Sequence, residues 1–256
     1  MTEQPGQKAS VEKLADLIAS TDLITVFSGA GMSTESGIPD YRSPDGIWSR
    51  MQPITYQQFV SDEAARLEDW RRRFIMNDDF AIAQPNQGYG CIDTLYKRGQ
   101  LHGIITQNID GLHKRGRVSG ERIVELHGNA TFGRCLECSR AMELEAVRGV
   151  IERTGACPRC ESCGGLVKVA VISFGQNLDP AALQRAAQWS ADCELFLVLG
   201  SSLVVEPAAS LPRLAASQGA TLAIINREHT PLDNLAACIV RGSIGSAFTQ
   251  AVSMAS

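Results

Sequence analysis

Two C-x-x-C pairs, Cys135-Leu136-Glu137-Cys138 and Cys160-Glu161-Ser162-Cys163, stand 21 residues apart. That spacing lets both thiolates of a pair reach one tetrahedral Zn²⁺ at about 2.3 Å, and four protein thiolates close the coordination shell, which predicts a structural and not a hydrolytic ion. Cys157-Pro158-Arg159-Cys160 supplies a competing pair. Cys91, Cys193 and Cys238 sit in apolar contexts and read as small core residues. A metal reading presupposes reduced thiols. The opening MTEQPGQKAS lacks the charged-then-apolar layout of a secretion signal. No apolar run reaches the roughly 18 residues needed to span a bilayer. A cytoplasmic, membrane-free setting is the expectation.

A second chemistry-bearing stretch is Phe27-Ser28-Gly29-Ala30-Gly31-Met32-Ser33, after an apolar run. Gly29 and Gly31 can let the backbone approach a pyrophosphate while a following helix points free N–H groups at it. Thr34 stands where a dinucleotide fingerprint has its third glycine, and no strand-ending acid follows about 20 residues on, so a plain tight turn is an equal rival. Gln107-Asn108-Ile109-Asp110 is a polar run whose side chains could also satisfy their own backbone. Of four histidines, His229 lies in a polar turn, His102 opens a strand, and His113 follows the Gly111-Leu112 turn as a loop anchor. His127 ends the apolar run 123–126. With an ordinary pKa near 6.5, imidazole is the usual general base at neutral pH.

The run Thr34-Glu35-Ser36-Gly37-Ile38-Pro39-Asp40-Tyr41-Arg42-Ser43, then Thr106-Gln107-Asn108-Ile109-Asp110-Gly111-Leu112-His113, His127-Gly128, Phe174-Gly175, Gly200-Ser201-Ser202-Leu203 and Ile225-Asn226 resemble the sirtuins, in family order, over roughly residues 10 to 245. The resemblance implies an NAD-dependent protein-lysine deacetylase that consumes NAD and acts on acetylated proteins or peptides. It implies that the acetyl-lysine carbonyl oxygen displaces nicotinamide at the ribose. His127 then removes a ribose hydroxyl proton, giving lysine and O-acetyl-ADP-ribose. Ile109 and Asp110 would hold the carboxamide, Gln107 and Asn108 would face the reacting ribose, and Asn108 would share in catalysis. Ala30, Thr34, Tyr41 and Arg42, with Gly29 and Gly31, would line a loop over NAD. Gly200, Ser201 and Ser202 would meet phosphate or ribose oxygens, Asn226 the adenosine ribose, and Ile244 the adenine. Val171, Ser173, Phe174 and Gly175 on one side, and Leu203 and Val204 on the other, would flank a peptide added as a strand. The distance from Cys163 to Phe174 favours Cys135, Cys138, Cys160 and Cys163 as zinc ligands, leaving Cys157 spare. Tyr41 replaces the more frequent Phe, Gln176 the usual Glu and Val169 the usual Pro. In some relatives a Tyr and an Arg three residues apart read acidic acyl groups; here Trp70 and Arg73 stand there, within an arginine run readable as a solvated helix face, so neutral acyl chains are expected.

These residues need a scaffold. Short β-prone runs at 24–27, 103–106, 123–126, 195–199 and 222–225 alternate with helix-compatible stretches at 181–190 and 208–217, and Ser10 reads as the N-cap of a helix over 11–18. That rhythm predicts an α/β fold, a doubly wound Rossmann-like parallel sheet with a small inserted zinc module and a helical segment. The expected division of one catalytic domain over 1–256 is a large part at about 10–44, 101–133 and 166–250, helices at about 45–100, and the zinc module at about 134–165. In such sheets ligands bind beyond the carboxyl ends of the strands, where the polar motifs fall.

With 24 basic and 28 acidic residues the chain carries a net charge of −4, no footprint for nucleic acid or an anionic membrane. Two rivals stand beside deacetylation: ADP-ribosyl transfer or NAD hydrolysis on the same fold, and a non-enzymatic zinc-ribbon binding module. The sequence is silent on oligomeric state.

Overall fold

The computed structural model of the chain describes residues 5–44 and 46–255. Helix α1 (Pro5–Ala19) buries Val11, Leu14, Ala15 and Ile18. It begins before Ser10, the expected cap, whose hydroxyl instead donates to the Gly6 carbonyl one turn back at 3.1 Å. Strand β1 (Ile24–Ser28) is buried throughout. The chain then runs through α2 (Ile47–Arg50), α3 (Tyr56–Ser61), α4 (Glu63–Ile82) and α5 (Gln87–Lys97). Local chemistry starts these helices: Thr55 and Gln58 form a capping box for α3, and the Asp62 and Asn86 side chains cap α4 and α5.

Next come β2 (Leu101–Thr106), β3 (Ile123–Glu125), β4 (Gly128–Cys135), β5 (Ala141–Glu143), α6 (Leu144–Thr154) and β6 (Val167–Val171). The last third alternates α7 (Pro180–Asp192), β7 (Leu195–Leu199), α8 (Leu211–Ser217), β8 (Thr221–Ile225), β9 (Cys238–Val240) and α9 (Ile244–Met254). The helix expected over 208–217 opens as a 3-10 turn at Ala208–Ser210 before α8.

Six strands form one parallel sheet in the order β3-β2-β1-β7-β8-β9. Successive strand residues point to opposite faces, so one sheet feeds two cores. Ile24, Val26, Leu195, Leu197 and Leu199 join the core of α1, α5 and α9, while Phe27, Phe196 and Val198 join the core of α7 and α8. This is the expected doubly wound fold.

Strands β5-β4-β6 make a second, antiparallel sheet. It reaches from Gly128 to Val171, beyond the 134–165 expected for the inserted module. Helix α4 packs on it through Trp70, whose ring lies 3.3 Å from where a Cβ on Gly133 would stand. Among the described residues no helix is long and apolar enough to cross a membrane.

Candidate active site

The order of the parallel sheet reverses between β1 and β7, and ligands bind beyond the carboxyl ends of strands at such a switch point. A cleft of about 860 Å³ lies there. Its walls include Gly29, Ala30, Gly31 and Thr34 after β1, Gln107, Asn108 and Ile109 after β2, and His127 after β3. They also include Gly200, Ser201 and Ser202 after β7, Asn226 after β8, Ile244 opening α9, and Tyr41 and Arg42. Residues as far apart in sequence as Gly29 and Ile244 converge because every parallel strand ends on the same edge.

The glycines also serve a purpose their spacing did not show. A Cβ on Gly29 would stand 2.7 Å from the Gly200 carbonyl oxygen, and one on Gly31 2.8 Å from the Gly200 Cα. Their N–H groups already donate to Leu199 O and Gly200 O, each at 2.9 Å. The turns after β1 and β7 are thus sewn together, and only glycine permits that approach. No α-helix follows; two 3-10 turns, Ala30–Met32 and Thr34–Ser36, take its place. Glu35 then accepts from the Ser243 hydroxyl at 2.8 Å and the Gly245 N–H at 3.1 Å, which fixes Ile244 at the cleft rim. Ser201 is buried and donates to Gln107 Oε1 at 2.7 Å.

His127 Nδ1 lies 3.2 Å from the Gln107 carbonyl oxygen. A carbonyl can only accept, so Nδ1 carries the hydrogen and Nε2 keeps its lone pair. Burial, reinforced by the Arg42 guanidinium, pushes the His127 pKa below its ordinary value against the opposing Gln107 hydrogen bond. The ring is a neutral, oriented base. Arg42 stacks on Trp48 at 4.2 Å, and the Trp48 ring lies between Tyr41 at 5.4 Å and Phe174 at 5.5 Å. Trp48 escaped notice because the stretch after 45 reads only as helical.

Asp110 lies outside the cleft, on a satellite recess of about 10 Å³. Its polar wall is Ser33, Asn108 and Asp110, and the rest is apolar, with Ile38, Pro39, Tyr41 and Phe80. Asp110 accepts from Ser33 Oγ at 2.6 Å and from Leu112 N–H at 2.8 Å. Burial raises its pKa, and these hydrogen bonds oppose the rise. Burial also lifts the Tyr41 phenol to about 12, so it stays protonated.

Val171, Ser173, Phe174 and Gly175 line the cleft, as does the unexpected Gln176. The opposite side differs from expectation. Residues 203–205 form no strand; Leu203 has a left-handed φ of 53°, its side chain is buried, and neither Leu203 nor Val204 borders the cleft. Val205, Glu206 and Pro207 do. The arginine run is not one solvated face either. Arg71 is exposed on Glu68, whereas Arg73 lines the cleft and meets Asp69 at 3.4 Å. Trp70 is fully buried and stacks on Phe74. Lys168, fully buried, donates to Val171 O at 2.6 Å; burial, with Arg73 nearby, lowers its pKa to about 7.

His113 does anchor its loop. Its Nε2 lies 2.7 Å from Ser28 Oγ, and burial depresses its pKa to about 3. An unfolded chain protonates this ring below about 6.5. Between those values the unfolded state binds more protons, so stability is lost as pH falls through that window. Acidification from about pH 6.5 to 4 is expected to lower the thermal midpoint more in the wild type than in His113→Gln, which cannot titrate. Equal slopes in the two proteins would refute the assignment.

Away from the cleft, Cys135, Cys138, Cys160 and Cys163 bring their sulfurs within 4.8 Å of one another. The Cys135–Cys163 and Cys138–Cys160 pairs are 3.5 and 3.6 Å apart. Tetrahedral bonds of about 2.3 Å require sulfurs about 3.8 Å apart, so the cluster fits a zinc-binding module. Gly165 is part of the cradle, since a Cβ there would stand 2.9 Å from Cys135 Sγ. Cys157 is outside the cluster.

Known proteins are similar to this chain over nearly its whole length. Over 241 residues the chain is 49% identical to an NAD-dependent protein deacetylase of Rhodopseudomonas palustris, covering 94% of this chain and 95% of the other. An NAD-dependent protein deacetylase 1 of Bradyrhizobium diazoefficiens is 47% identical, with 93% of each chain covered. A solved structure of a Sir2 variant with deacetylated p53 peptide and 3'-O-acetyl ADP ribose superimposes with a TM-score of 0.86 at 32% identity, over 94% of this chain and 96% of that one. The Sir2 family model matches residues 29–207. That match runs from the first glycine of the β1 turn to the far side of the β7 turn, the two halves of the switch point, and the chain belongs to the Sir2 family.

Proposed function

We propose that the chain is an NAD-dependent protein-lysine deacetylase that consumes NAD and an acetyl-lysine peptide and yields nicotinamide, lysine and O-acetyl-ADP-ribose. The observation that carries this reading is His127: a neutral imidazole held by Gln107, its second nitrogen free, in the wall of a dinucleotide-sized cleft at the switch point. NAD supplies a cationic pyridinium that leaves the ribose carbon as neutral nicotinamide. The chain's own residues do the rest. Ser33, Asn108 and Asp110 offer a polar wall for a carboxamide in an otherwise apolar recess. A pyridine ring exceeds the recess as it stands, so entry requires Tyr41 and Pro39 to yield. Gln107 and Asn108 face the reacting ribose, and the Gly200–Ser202 turn, Asn226 and Ile244 take the adenosine half.

The peptide lies against Val171, Ser173, Phe174 and Gly175, with Val205 and Glu206 opposite. Arg73 already faces Asp69, which favours acetyl and other neutral acyl chains over acidic ones. His127 Nε2 accepts the proton of a ribose hydroxyl as that oxygen attacks the acyl carbon. Cys135, Cys138, Cys160 and Cys163 would hold one Zn²⁺ that braces the β4–β6 sheet without entering the reaction. Eight unpaired cysteines suit the reducing cytoplasm.

Because the Arg42 charge helps depress the His127 pKa, the acid limb of kcat/KM is expected below pH 6.5, the ordinary value. Arg42→Gln should move it upward and Arg42→Lys should not; a limb that stays put in Arg42→Gln would exclude the coupling. Mass spectrometry of products from NAD and an acetyl-lysine peptide tests the reading as a whole. O-acetyl-ADP-ribose and free lysine support it, whereas an ADP-ribosylated peptide, or ADP-ribose alone, would establish the transferase or hydrolase alternative.

A further inference from the structure

Behind the recess lies a buried hydrogen-bond seam whose directions can be worked out atom by atom. Ser33 Oγ donates its one hydroxyl proton to Asp110 Oδ2 at 2.6 Å. The remaining contacts of that oxygen, Asn108 Nδ2 at 3.1 Å and Tyr89 Oη at 2.8 Å, must therefore be incoming. With one donor and two lone pairs, Ser33 is saturated. Asn108 is thereby held with its amide nitrogen toward Ser33, which leaves Oδ1 as its uncommitted atom.

Tyr89 is fixed from two sides. It is buried in the first turn of α5, whose cap Asn86 donates to Met32 O at 2.8 Å, and its ring meets the His113 ring edge-on at 4.8 Å. His113 is held in turn. Ser28 Oγ donates to Thr106 Oγ1 at 2.8 Å, so His113 Nε2 must be the donor to Ser28. Thr106 Oγ1 also accepts the Asn108 backbone N–H at 3.0 Å, which closes the seam on the same loop.

We propose that Tyr89 is a positioning residue for the nicotinamide end of the cleft: by donating to Ser33 it sends the Ser33 proton to Asp110 and orients the Asn108 amide. The proposal rests on the reading that this recess receives the carboxamide. Without the phenol hydroxyl, the Ser33 oxygen loses one incoming donor and the Asn108 side chain loses a direct partner, while the fold keeps the aromatic ring.

The test is Tyr89→Phe in the full chain. One hydrogen bond is worth roughly two- to tenfold in binding. Inhibition by nicotinamide should weaken, and KM for NAD should rise, by about that factor. KM for the acetyl-lysine peptide and the thermal midpoint should hold. In a Ser33→Ala background the Tyr89→Phe effect should shrink but not vanish, because one path runs through Ser33 and the other through the direct Tyr89–Asn108 side-chain hydrogen bond. Unchanged nicotinamide inhibition and NAD KM would overturn the proposal. So would a peptide KM that rises in parallel, the mark of a packing role, or full additivity in the double variant. A wild-type protein that releases no nicotinamide would defeat the underlying reading instead, and is measured first.

Discussion

Replacement of His127 by alanine is expected to cut deacetylation by about 10²- to 10⁴-fold, the usual worth of a positioned general base. The loss should fall on turnover. His127 contributes one wall among many to the cleft, and the Asp110 recess does not contain it. NAD binding, followed by calorimetry, should therefore change little. His127→Asn should not rescue, since an amide can hold the Gln107 carbonyl but presents no basic nitrogen. Retention of most turnover in His127→Ala would remove the imidazole from the mechanism.

The second large effect concerns the four thiols. Structural zinc in small modules binds with apparent free energies of about 10–16 kcal/mol, comparable with the whole stability of a domain at about 5–15 kcal/mol. Metal analysis should find one zinc per chain. Chelation, or Cys135→Ser, should strip the ion, loosen the β4–β6 sheet and collapse activity indirectly, because β6 ends in the peptide wall at Val171. Cys157→Ser should keep both zinc and activity, since Cys157 lies outside the cluster. Zinc content that falls with Cys157→Ser, or survives Cys160→Ser, would reassign the ligands.

The parallel strands were legible because central strands, covered on both faces, must be apolar along their whole length, as in Leu195–Leu199. Polar motifs just after such runs marked the site for the same reason. What escaped the sequence depends on contacts between distant segments. Gly29 and Gly31 read as a phosphate loop, and nothing local showed that Gly200, about 170 residues away, also requires them. The Leu203-Val204-Val205 run looked like a strand, yet Leu203 adopts a left-handed conformation and turns its side chain into the core. The helices between β1 and β2 are started by Thr55, Asp62 and Asn86, caps the sequence reading did not single out, and the segment carried no signal of its packing. Their contribution Trp48 stayed hidden, as did Tyr89 behind the cleft, while Arg73 stood out only through the family resemblance.

The central claim is that an amide oxygen displaces nicotinamide in the switch-point cleft while His127 serves the step after. An acetyl-lysine peptide carrying ¹⁸O in its acetyl carbonyl tests it directly. Mass spectrometry should find that label in the ribose oxygen at the carbon nicotinamide left, with His127→Ala slowing release of free lysine. Label absent from the ribose, with solvent oxygen there instead, would mean that water performs the displacement and would contradict the account.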